Sequence, residues 1–300
     1  MPASAPNLAG PWAAPVALTA FLLLALLLYG RGWFFLSREM PGRVPAWRLA
    51  SFLAGLATVW IAWSARIDAL THYLLVAHMV QHLLLALVAP PLLLLGSPVL
   101  VFRRGTGRAA RRQPGEFARS ARVAWAGRLG SWLTHPVFAG SIMVAITIFW
   151  HIPAVFQMAM SSGRWHAVEN ATFLASSVLF WWPVILPWPG TPQWPRWTVP
   201  LYLLGADMPV SVLSAYLAFC GHVVYPAYLA VPRPFAISAL NDQVAAAMLM
   251  WVAMLLVFLA AAVAVILELI EPSWRPGPVA EGAGLPDGAS PGPSPWRPAK

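Results

Sequence analysis

Apolar residues run along this chain in long blocks, with polar residues confined to short gaps and a few isolated positions inside the blocks. A helix needs about 20 apolar residues to cross a bilayer. Stretches of roughly that length fall at about 13–30, 46–65, 71–96, 136–157, 165–186, 197–221 and 243–267. The pattern predicts an all-α fold, a polytopic transmembrane bundle of seven helices within residues 1–271. The leader MPASAPNLAGPWAA has neither the basic start nor the clear cleavage site of a signal peptide, so the first block is read as a retained helix. Residues 272–300 are rich in proline and glycine and are expected to form a disordered tail, since they cannot build a core. Residues 103–134 set Phe117, Trp125, Leu129 and Trp132 among arginines. A basic amphipathic helix on the membrane surface and a solvated charged loop fit that segment equally well.

Composition sharpens the picture. Hydrophobic residues make up 59% and charged residues 10% of the chain, and the mean hydropathy is +0.67. Soluble domains hold about 45–50% and about 25% respectively, so a soluble two-domain enzyme is excluded. The net charge of +9 would ordinarily suggest an anionic partner. With the N-terminus outside, however, sixteen basic residues fall in inner segments, and only Arg66, Arg164 and Arg233 fall outside. The positive-inside rule thus accounts for the charge, places the C-terminus in the cytoplasm, and leaves the lipid bilayer rather than nucleic acid as the partner. Tryptophans agree, with Trp60, Trp63, Trp150 and Trp165 near one interface and Trp33, Trp47, Trp194 and Trp197 near the other. Cys220 is the only cysteine, which excludes disulfide frameworks and thiolate metal clusters within one chain.

Polar residues inside apolar helices cost free energy and tend to mark sites. The third span contains His78, Gln81 and His82, and the two histidines are spaced i, i+4 on one helical face. In this topology His72, His78, His82, His151, His166 and His222 all fall in the outer half, joined by Glu169, Asp242 and Gln243. Imidazoles on several helices at one depth suit a metal site, a haem site or a proton path. Each alone also suits a helix-tying hydrogen bond or a solvated interface residue, above all His72, His166 and His222. Met79 and other methionines at similar depth add soft thioethers that suit Cu(I), although methionine is also ordinary core filler.

Several segments, taken in order, resemble the seven-helix CtaG family of cytochrome c oxidase assembly proteins. They are HMVQHLLLALVAPPLLLLGSP at 78–98, HPVFA at 135–139, FWHIP at 149–153, FWWPVI at 180–185, LYLLGA at 201–206, VVYPAY at 223–228 and NDQVAAAMLMW at 241–251. The resemblance implies a bacterial plasma membrane protein that matures a haem–copper oxidase, with copper binding at the outer face. It implies oxidase subunits and a copper donor as partners, and no enzymatic activity. Carried over by motif, the matching positions are His78, Gln81, His82, His151, His166, Glu169, Asp242 and Gln243. Of these, His78, His82, His151 and His166 are the metal candidates. Gln81, Glu169, Asp242 and Gln243 are candidates to orient them, and His72, Met79 and His222 are weaker ligand candidates. The chain departs from the family's His-x-x-Glu-His pattern at Asn170, a poor ligand for a soft metal. Either that position is not a ligand, or His166 serves alone, or this member's site is altered. A copper transporter and a haem-binding electron-transfer protein are the alternative functions, and a metal-free scaffold is a third.

Overall fold

The computed structural model describes residues 14–39, 45–105, 130, 132–187, 194–232 and 236–270. The expected tail after Glu271 and most of the arginine-rich segment 103–134 lie outside the described residues. Among the described residues there are helices and no strands. The helices are α1 (Val16–Glu39), α2 (Ala46–Ala62), α3 (Ala65–Thr71), α4 (Leu75–Leu83), α5 (Ala89–Leu95), α6 (Pro98–Gly105), α7 (Pro136–His151), α8 (Pro153–Ser161), α9 (Gly163–Ile185), α10 (Val199–Phe219) and α11 (Ala239–Ile270).

Four of these helical runs are long and apolar enough to cross a membrane: α1, Leu75–Leu95, Arg196–Phe219 and α11. The count reaches six if the bent pairs α2–α3 and α7–α8 each form one span. With 23 residues, α9 has the length of a span, but its first two turns carry Arg164, His166 and Glu169.

The breaks have local causes. The predicted block 136–157 divides between α7 and α8 with a bend of 76°. Pro153 has no amide hydrogen, and the residue before it, Ile152, is extended at φ −66°, ψ 125°. The block 71–96 starts as an α-helix at Leu75 and widens into a π-helical turn over Leu84–Val88, just before Pro90 and Pro91. A proline at 90 cannot donate to the carbonyl of Ala86, and the Trp181 indole donates to that oxygen instead, at 2.9 Å. Similar staples close other helix ends. Gln81 donates to Ala62 O at 2.7 Å, Tyr225 to His151 O at 3.1 Å, and Tyr228 to Thr71 O at 2.6 Å. In hydrocarbon such carbonyls have no water to turn to, so side chains must satisfy them.

Packing sets the depth of each element. The His82 ring lies 4.3 Å from Phe173, and Trp181 reaches Ala86, so α4–α5 and α9 run parallel at matching depth. The main core joins Leu75, Met79, Phe156, Phe180, Trp181, Leu203, Met250, Met254 and Phe258. Gly55 lets α2 close on α5, since a Cβ there would lie 2.8 Å from the Leu93 side chain. One end of the bundle carries Arg48 bonded to Ser97, Arg104 paired with Glu39, and Arg196 bonded to Val184 O and Glu268. The opposite end carries His72, His166 and Asp68.

Candidate metal centre

The i, i+4 spacing on α4 does what it predicts. His78 and His82 project from one face, with Nε2 atoms 2.6 Å apart. The parallel α9 brings Glu169 to the same depth, and its Oε1 lies 3.4 Å from His78 Nε2 and 3.2 Å from His82 Nε2. All three residues are buried, at 2%, 4% and 1% exposure. Where the facing nitrogens carry no proton, their lone pairs and the carboxylate oxygen converge on one point, an arrangement that a cation or a shared proton stabilises. The fit is metric as well as electrostatic. A triangle with these three sides has a circumradius of about 1.8 Å, so His78, His82 and Glu169 would all be able to reach one ion at the usual bond length of about 2.0–2.1 Å.

Among the described residues, His78 Nδ1, His82 Nδ1 and Glu169 Oε2 are buried without a hydrogen-bond partner. The wall around the trio includes Met79, Trp150, His151, Phe156, Tyr225 and Gln243, and encloses about 10 Å³, the scale of a single water or ion. His151 Nδ1 faces its own helix carbonyl, Thr147 O, at 2.7 Å. That contact requires the proton on Nδ1 and leaves Nε2 with its lone pair. His166 has the same form: Nδ1 lies 3.0 Å from Asp68 Oδ1, its buried Nε2 has no partner among the described residues, and its ring stacks 5.3 Å from His78. Carboxylate-anchored imidazoles of this kind are the usual metal-ligand arrangement.

A family model described as "cytochrome c oxidase caa3 assembly factor" (Caa3_CtaG) matches residues 27–271. The chain belongs to this family. It is also similar to an uncharacterized protein of Mycobacterium bovis and one of Mycobacterium tuberculosis, each 27% identical over 216 residues. The match covers 66% of this chain and 30% of the length of those relatives. No solved structure matches.

In this family member, the residues singled out from sequence divide into groups. His78, His82 and Glu169 meet directly, and His151 and Met79 line the same pocket. His166 stands one ring outward from His78. The three remaining orienting candidates touch backbone rather than imidazole. Gln81 ties α4 to the end of α2. Asp242 accepts from the amides of Leu75 and Val76, at 2.8 and 3.0 Å, and so caps α4. Gln243 accepts from Val224 N and donates to Leu217 O and His222 O. His72 is exposed, 6.2 Å from the His166 ring, and His222 is exposed against Cys220 O. Asn170 is buried beside Glu169 in sequence, with Oδ1 unpartnered. Asp68 is the residue that sequence reasoning passed over. Its signal was a carboxylate four residues before His72, in a chain with only ten acidic residues.

Proposed function

We propose that this chain is a membrane assembly factor for a haem–copper cytochrome c oxidase, and that it holds a copper ion at His78, His82 and Glu169 for delivery to an oxidase subunit. The observation that carries the reading is the convergence of two imidazole nitrogens and a carboxylate oxygen within 4.8 Å of one another, all buried. Membership of the caa3 assembly factor family supports the process. Imidazole suits copper, and His151 and Met79 on the same wall offer further nitrogen and thioether donors for a change of coordination. A cargo site needs ligands that can exchange, and a cluster of few donors beside spare ones meets that need. Copper is cargo here, and the carboxylates orient, cap or ligate rather than turn over a substrate.

The same reading makes α9 a seventh span, sets the N-terminus outside and the tail in the cytoplasm of a bacterial plasma membrane, and names oxidase subunits and a copper donor as partners. The test is metal analysis of the purified protein beside the His78→Ala/His82→Ala variant. The variant should stay in the membrane, lose its copper and lower host oxidase activity. A stable double variant with full copper content and full oxidase activity would sink the proposal.

A further inference from the structure

We propose that His72, His166 and Asp68 form a loading relay, which passes a soft metal ion from an outer vestibule to the buried site. The inference rests on the copper reading above and adds the route. The vestibule is an open cavity of about 610 Å³ at the histidine-rich end, lined among others by His72, Gln157, Met160 and Tyr228. It does not run straight into the site. Phe156 lies between, its ring 5.1 Å from His78, 4.3 Å from Tyr225 and 6.0 Å from Tyr228. These rings form an aromatic floor beneath the vestibule.

The imidazoles lead around that floor. Ring centres step from His72 to His166 at 6.2 Å, from His166 to His78 at 5.3 Å, and from His78 to His82 at 4.3 Å. Exposure falls along the series, from the exposed His72 to the buried His166, His78 and His82. Two metal–nitrogen bonds of about 2 Å each span steps of this order once the rings turn their nitrogens toward one another, since His166 and His78 lie stacked at an interplanar angle of 20°. Each step forms one metal–nitrogen bond as another breaks, and no electron is transferred.

Asp68 is the positioning residue. Its side chain is half exposed, and it accepts the Nδ1 proton of a His166 that is 3% exposed. The contact fixes the tautomer so that Nε2 keeps its lone pair. That Nε2 has no partner among the described residues, which a merely structural histidine at this depth would not leave. The carboxylate also draws a cation to the start of the route.

The test uses the full chain in detergent micelles and Cu(I) presented as its bicinchoninate complex, whose absorbance falls as the protein takes copper. His166→Phe keeps a ring stacked on His78 and removes both nitrogens. It should still bind a single copper at equilibrium but load at least about tenfold more slowly. Asp68→Asn and His72→Ala, both at exposed or half-exposed positions that tolerate change, should slow loading by a smaller factor, and Asp68→Glu should restore the rate. Loading of all three variants at the wild-type rate overturns the relay and leaves the buried copper site standing. A folded His166→Phe protein that holds no copper also overturns it, because His166 would then belong to the buried site itself. Wild-type protein that takes no copper at all overturns the relay and the proposed function together.

Discussion

Asp242 caps a helix it does not belong to. Its carboxylate accepts from Leu75 and Val76, 167 and 166 residues away in sequence, and so anchors the first turn of the helix that carries His78 and His82. Asp242→Asn leaves one acceptor oxygen for two amides. It should cost about 0.5–2 kcal/mol, seen as a lower melting temperature and faster hydrogen exchange at Leu75 and Val76, with partial loss of copper. Unchanged exchange there would remove the cap from the account. In sequence Asp242 is a candidate to orient imidazoles, and only packing reveals that it caps α4. Glu169 shows the same limit. Its type and depth read as a partner for imidazole. That one of its oxygens meets both Nε2 atoms depends on the parallel register of α4 and α9, and no local pattern encodes that register.

Elements here are broken, and several of the breaks are stapled by a side chain from elsewhere. The breaks after Ala62 and Thr71 hold no proline. The prolines behind two others, Pro90 and Pro153, are plain in the sequence, since a missing amide is a property of one residue. The staples Gln81, Trp181, Tyr225 and Tyr228 are not, because each bonds a carbonyl 19 to 157 residues away. Trp181→Phe tests their worth. It keeps an aromatic ring and leaves Ala86 O without its donor beside the π-helical turn. A buried carbonyl left unpaired costs about 1–3 kcal/mol, so thermal unfolding in micelles should begin at a lower temperature, with the helix content of the native state retained. An unshifted melting curve would mean that the turn finds another donor. The bend at Ile152 matters for the site as well. It ends α7 at His151, so that this imidazole closes on Thr147 O while Tyr225 takes the freed His151 carbonyl.

At the scale of the whole molecule, the two ends differ in chemistry, and this much was legible from the arginine count alone. Hydropathy and charge are summed over many residues, so single misreadings cancel. Arg48, Arg104 and Arg196 gather at one end, opposite His72, His166 and Asp68, where Arg66 and Arg164 also stand. If that end is cytoplasmic, a green fluorescent protein fused after Lys300 will fluoresce, and alkaline phosphatase fused there will be inactive. The reverse result would turn the vestibule toward the cytoplasm. The span count was less legible, because α9 trades apolarity for its site residues and α7–α8 bends. Beneath the site, Phe180, Trp181, Met254 and Phe258 pack the bundle toward the arginine end. Among the described residues, the proposed copper site would thus be a cul-de-sac rather than a corridor. Whatever is parked there leaves by the door it came through, so a supplier and a recipient would have to take turns at one threshold. Throughput would then be set by how quickly one visitor makes way for the next.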